Sequence, residues 1–206
     1  MSNPQLHPIG KADIPAAADA LVDSFQDDPL WRAVFEGAND PQRNRRAFFE
    51  CPVRYGLKYG KAYASSPALE GIAVWVPGRV SDMSGWRMLR CGALRAAFGV
   101  GMETMRKVKV IPDTLAPDRT RHMKGRSYVY LMVIGVARAH QGKGIGSRLM
   151  RAITSECDAA GLPLYLETET EANLPFYARH GLEMLECVEI PGLNLPMWEM
   201  VREPRV

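Results

Sequence analysis

Val133-Ile134-Gly135-Val136-Ala137-Arg138-Ala139-His140-Gln141-Gly142-Lys143-Gly144-Ile145-Gly146-Ser147 decides how this chain is read. An apolar run suited to a buried strand enters a glycine-dense turn, and the turn opens an amphipathic helix. That order builds a cradle for phosphate. Glycines let backbone N–H groups turn inward, and the helix N-terminus adds partial positive charge. Lys143 is placed to add a point charge. Spacing separates three possible cradles. A Walker A loop requires Gly-x-x-x-x-Gly-Lys-Ser/Thr, and here Lys143 precedes Gly144, so that pattern fails. The dinucleotide pattern Gly-x-Gly-x-x-Gly fits Gly142 and Gly144 but meets Ser147 at its third glycine. Glu167 stands about where that pattern wants its acid, yet the turn falls too late in the chain for a doubly wound sheet. The third pattern, Gln/Arg-x-x-Gly-x-Gly/Ala, is matched by Gln141, Gly144 and Gly146.

A second segment follows: Pro163-Leu164-Tyr165-Leu166-Glu167-Thr168-Glu169-Thr170-Glu171-Ala172-Asn173-Leu174-Pro175-Phe176-Tyr177-Ala178-Arg179-His180-Gly181-Leu182. It predicts a strand, a polar turn, a short helix capped by Thr170, and a glycine stop at Gly181. Pro175 falls in the first helical turn, where it is tolerated. Asn173 and Tyr177 are four apart and share a helix face. With both segments in place, the chain resembles the GCN5-related N-acetyltransferase (GNAT) family over about residues 126–202, and more loosely throughout. The layout is similar to the puromycin N-acetyltransferase branch, with Arg138 where the family often carries proline.

The resemblance implies an acetyl-CoA-dependent N-acetyltransferase that moves acetyl directly to the amine of a small molecule. Such transfer needs a held cofactor, a neutral amine, stabilisation of the developing oxyanion and a proton for the departing thiolate. By the resemblance, backbone groups of Ile134, Gly135 and Val136 pair with pantetheine. Gln141, Gly142, Lys143, Gly144, Ile145, Gly146 and Ser147 hold the pyrophosphate, and Asn173 binds the pantetheine arm. Tyr177 is the catalytic acid, since a phenol titrating near 10 keeps its proton at neutral pH. The base stays open among Glu167, Glu169 and a water relay. Family acceptors range from antibiotics and polyamines to protein amines. The front helices and closing strands offer Phe25, Trp31, Phe35, Tyr55, Tyr59, Trp75 and Trp198 for a pocket. Three other readings stay open: a catalytically silent acetyl-CoA-binding regulatory domain, acetylation of a protein amine, and a nucleotide-dependent oxidoreductase.

The rest of the chain predicts one α/β (α+β) domain over 1–206. Its core is a mixed, mostly antiparallel twisted sheet of about seven strands flanked by helices. Strands are expected at 5–10, 62–65, 71–76, 127–136, 163–168, 183–190 and 196–202. Helices are expected over 14–26 with Asp13 as cap, 40–59, 143–160 and 172–180. An extra helical segment around 84–121 is interrupted near Gly99 and Gly101, and 107–125 reads as an irregular helix or a connecting loop. Hydrophobic content of 47% and charged content of 24% fit a globular protein, and a net charge of +3 is too small to imply nucleic acid. The four cysteines are widely spaced, so no metal site is expected and a reducing compartment fits. With no leader-like or membrane-length apolar run, the expectation is a cytoplasmic protein without membrane contact, with room for a homodimer. Cys157 lies on an apolar stripe and reads as core. His140 and His180 read as surface, and Arg119, Arg121, His122, Lys124 and Arg126 as a solvated face.

Overall fold

The computed structural model describes residues 6–38, 40–92, 100 and 102–205. Seven strands form one sheet in the order β1-β2-β3-β4-β5-β7-β6. They are β1 (His7–Pro8), β2 (Lys61–Ala64), β3 (Gly71–Pro77), β4 (Val129–Val136), β5 (Leu164–Thr168), β6 (Glu183–Ile190) and β7 (Leu195–Arg202). Every adjacent pair is antiparallel except β4 and β5. The helices are α1 (Ile14–Ser24), α2 (Pro29–Phe35), α3 (Pro41–Tyr59), α4 (Gly85–Arg90), α5 (Met102–His122), α6 (Ile145–Ala160) and α7 (Leu174–Arg179). Among the described residues, no helix is long and apolar enough to cross a membrane.

The sheet is covered on both faces. Along β3, Ala73 and Trp75 pack toward α6, while Ile72 and Val74 pack toward α1 and α3. This is the period-two alternation of a central strand buried on both sides. α6 lays Leu149, Ile153 and Cys157 into the first of these cores. It stops at Gly161, which takes the left-handed conformation at φ 62°. A third core joins α2, α5 and the β6–β7 hairpin through Leu30, Val34, Leu115, Ile190 and Met197.

Three differences from the sequence reading have physical causes. α2 was not foreseen: it is one apolar-rich stretch started by Asp28, whose carboxylate accepts from the Leu30 and Trp31 N–H groups at 3.0 and 3.2 Å. α5 is one continuous helix through Pro112 and Pro117, where the sequence left an irregular helix and a connecting loop both open. The expected break at Gly99 and Gly101 lies outside the described residues. Asp13 does not cap α1 forward; its carboxylate accepts from the Gly10 N–H at 2.8 Å.

Candidate active site

β4 and β5 pair at two positions, Val129 with Leu164 and Tyr130 with Tyr165, and then diverge. Beyond Tyr130 the edge of β4 faces an opening. The Ala137 N–H donates to the Glu70 carbonyl on the β3 side. By alternation Gly135 also pairs with β3, while Ile134 and Val136 turn their peptide groups to the opening. Val136 is already held there: its N–H donates to Ser24 Oγ at 3.0 Å, and its carbonyl accepts from Gln141 Nε2 at 3.0 Å. Gly135 is small because α1 packs against it; a Cβ would lie 2.7 Å from Ser24 Oγ.

The turn after β4 is exposed from Gln141 to Gly144. Gly142 and Gly144 adopt φ of 74° and 77°, a region costly for other residues. No side chain caps α6. The first N–H groups of the helix therefore have no intrahelical acceptor and open outward beside the diverging strands. Lys143 folds back, its Nζ donating to the Ala139 carbonyl at 2.8 Å. Ser147 Oγ and His180 Nε2 lie 3.1 Å apart, tying α6 to α7.

The open end of β5 gathers the remaining groups. Asn173 Nδ2 donates to Thr168 Oγ1 at 3.3 Å, and the buried Tyr177 hydroxyl lies near Thr168 as well. Burial and the nearby Glu169 carboxylate raise the Tyr177 phenol above its ordinary value, so it keeps its proton. Glu169 is half-buried and pushed up to about 8, first by burial and then by the nearby Asp28 carboxylate. The nearby Trp31 indole acts against that rise. Asp28 Oδ2 accepts from the Thr170 hydroxyl at 3.0 Å, so Thr170 binds across to α2 instead of capping its own helix. Two carboxylates, an indole and a phenol thus meet where the sheet opens.

Glu167 points to the same sheet face as Glu169 but is engaged differently. It is buried and paired with Arg119, whose Nη1 lies 2.6 Å from Oε1; their side chains are 5% and 4% exposed. Arg119 also donates to the Ser81 carbonyl at 3.2 Å and lies 4.5 Å over the Tyr130 ring. The basic cluster is therefore not one solvated face, because the helical turn of α5 sends Arg119 inward while Arg121 stays exposed. His180 also differs from expectation. It is half-buried, and burial with the Arg151, Arg179 and Arg202 charges holds it below its ordinary value, so it is not the exposed cation that suits a helix end. Cys157 is core, its thiol pushed up to about 12 by burial. Of the candidate pocket aromatics, Phe35, Tyr55 and Trp75 are buried core, while Phe25 and Trp31 remain half-buried on the α2 side. Ser24, Asp28 and Thr168 are site residues that sequence reasoning missed.

Residues 109–182 match the model of the Acetyltransferase (GNAT) family. An uncharacterized N-acetyltransferase of Schizosaccharomyces pombe is 30% identical over 202 residues, covering 93% of this chain and 80% of that protein. The chain belongs to the GNAT acetyltransferase family. This acetyltransferase also shares its fold with a Corynebacterium glutamicum protein described as histone acetyltransferase HPA2 and related acetyltransferase. That match has a TM-score of 0.67 and 20% identity, and covers 100% of this chain and 98% of the other. The Drosophila melanogaster polyamine N-acetyltransferase, which forms N-acetylagmatine, superimposes at a TM-score of 0.63 with 14% identity, covering 97% and 99%. The family generally uses acetyl-CoA.

Proposed function

We propose that this acetyltransferase moves acetyl from acetyl-CoA directly to the amine of a small cationic molecule. The observation that carries this reading is the uncapped start of α6 beside the opening between β4 and β5. A diphosphate wants convergent N–H donors with free space before them. The N–H groups of Gly142 to Ser147 supply the donors, and no atom lies within 4 Å of a Cβ built at Gly142 or Gly144. Acetyl-CoA, when bound, supplies the activated acetyl thioester. Ile134 and Val136 are the strand residues whose peptide groups face the opening, and Asn173 lies beside the same opening. Gln141 braces the turn through the Val136 carbonyl, and Gly135 gives α1 room to hold Ser24 against the strand.

Tyr177 Oη holds a proton and is the donor for the departing sulfur. Glu169 is the base: it takes the ammonium proton of the acceptor at its carboxylate, while Trp31 and Asp28 fix its position. Glu167 is less suited, because its oxygen is committed to Arg119. The paired carboxylates favour a cationic acceptor, since a bound ammonium relieves the repulsion between them. A compact cationic amine fits this reading, and the structural neighbour that forms N-acetylagmatine acts on such a molecule.

The test is calorimetric titration with acetyl-CoA, followed by turnover of an amine panel by wild type and Tyr177→Phe. Expected are selective acetyl-CoA binding over NAD(P)H and a roughly 10²-fold or greater fall in turnover for the variant. The variant should keep its cofactor affinity. Unchanged turnover with chemistry rate-limiting removes Tyr177 from the mechanism. Absence of cofactor binding by folded protein removes the whole reading.

A further inference from the structure

On the sheet face opposite α6, three carboxylates stand in a row across three strands. The register sets Glu167 of β5 beside Glu199 of β7, and Glu199 beside Glu186 of β6. Two of the three have a cation of their own. Glu167 has Arg119 at 2.6 Å, and Glu186 has Arg121 Nη2 at 2.5 Å, itself shared with Asp118 at 2.8 Å. Glu199, in the middle, has none. Its side chain is 0% exposed, and neither carboxylate oxygen has an aligned hydrogen-bond donor among the described residues. The Tyr165 hydroxyl lies beside it but is likewise without an aligned partner. A buried carboxylate without a donor costs several kcal/mol, so this arrangement asks for something more.

What faces Glu199 is an imidazole. His122, at the end of α5, brings Nε2 to 3.1 Å from Glu199 Oε2 and 3.2 Å from Glu186 Oε2. One ring nitrogen cannot satisfy both oxygens. The three ligand atoms lie within 4.8 Å of one another. Around a tetrahedral zinc ion, with ligands at about 2.0–2.2 Å, neighbouring ligand atoms are roughly 3.3–3.5 Å apart, so modest adjustment of two side chains would close the set. Imidazole with two carboxylates is a donor set for divalent first-row cations. The strand itself is bent to serve it: the β6 register shifts between Met184 and Glu186, a bulge of the kind that re-aims a side chain.

We propose that His122, Glu186 and Glu199 form a binding site for a divalent cation of the zinc class, clamping the end of α5 to the β6–β7 hairpin. The cation would replace the donor that Glu199 lacks and keep that carboxylate ionised against its burial. The site is separate from Tyr177 and Glu169, and stands or falls independently of the acetyl-transfer reading.

The experiment uses the full chain carrying Cys187→Ser, which removes the exposed thiol that would otherwise capture zinc. The protein is stripped with a chelator, shown to be folded by circular dichroism, and titrated with zinc chloride by calorimetry. Cobalt(II) absorption reads the coordination geometry. Expected are one zinc per chain and a rise in melting temperature that saturates with it. Glu199→Gln and His122→Asn should each weaken binding by more than the roughly 10–100-fold typical of losing an outer-shell partner. Glu199→Gln removes a buried charge and should fold at least as well without metal, which separates lost binding from lost structure. Stoichiometric binding that is unchanged in both variants would assign zinc elsewhere and overturn the proposal, as would no saturable binding to the folded parent.

Discussion

Replacing Asp28 by Asn should lower the pH at which the enzyme becomes active. Glu169 stands at about 8 instead of its ordinary 4.5, with burial the larger cause and the Asp28 carboxylate the second. Two carboxylates about 4 Å apart repel by roughly 4 kcal/mol at an effective dielectric of about 20, ample for a change of this kind. Burial is the largest single cause, so part of the rise remains without Asp28. Removing its charge should lower the Glu169 pKa while burial holds it above its ordinary value. Asparagine keeps an oxygen to accept from the Leu30 and Trp31 N–H groups, so α2 retains its cap, and its amide can donate to the Thr170 hydroxyl from which Asp28 Oδ2 accepts. The assay is kcat/KM against pH for both proteins with the same amine. The acceptor's own ionisation is then common to both, and only the protein's contribution differs. A carbon-13 carboxyl titration of Glu169 by NMR gives the same quantity without substrate. The stability sign follows. Glu169 binds its proton more tightly folded than unfolded, so its contribution is complete below about 4.5 and is lost as pH rises through about 8. Asp28→Asn should therefore lose less stability than wild type between these values. An acid limb and a Glu169 titration that coincide in the two proteins would refute the coupling, and with it the role of Asp28.

Three further outcomes are expected. Glu169→Gln should lower turnover by about 10²–10⁴ while acetyl-CoA affinity, measured by calorimetry, stays the same; a smaller loss would return the base to a water relay. Arg119→Met leaves Glu167 buried without its cation and should cost about 3–5 kcal/mol by urea unfolding, whereas Arg119→Met with Glu167→Leu should recover most of it. A single-variant loss below about 1 kcal/mol would mean the pair is not closed in solution. Gly144→Ala forces a side chain into a left-handed position and should cost about 1–2 kcal/mol, with a several-fold rise in the KM for acetyl-CoA, measured by steady-state kinetics. A rise in KM for the amine alone would place the turn's role elsewhere.

What could be read from the sequence was what the chain keeps local. α6 announced itself through Leu149, Ile153 and Cys157 at helical spacing between Gly144 and Gly161. The Gln141–Ser147 turn and the Asn173–Tyr177 pair each lie within a few residues, so their spacing carried the geometry. Residues that reach the site across the chain left no such trace. Ser24 meets Val136 over 112 positions, and Asp28 meets Thr170 over 142. α2 is a seven-residue helix, too short for its period to show. Pro112 and Pro117 left 107–125 open between an irregular helix and a loop, so no face was assigned and Arg119 was grouped with its exposed neighbours. Thr168 was visible as a strand residue, but its hydrogen bond with Asn173 needs the turn that follows to fold back.

The two-pair seam between β4 and β5 has a mechanical meaning. On one side lies an antiparallel ribbon built from residues up to Val136, and on the other a ribbon built from Leu164 onward. Each ribbon is stitched along its length, while the join is stitched at one end. Spreading the far end breaks no strand-to-strand hydrogen bond, because none is there to break. The sheet is thus a hinged plate whose pin sits at Val129 and Tyr130 and whose stiffness comes from the α6 core that spans it. Its gape is set by side-chain packing and not by a backbone ladder.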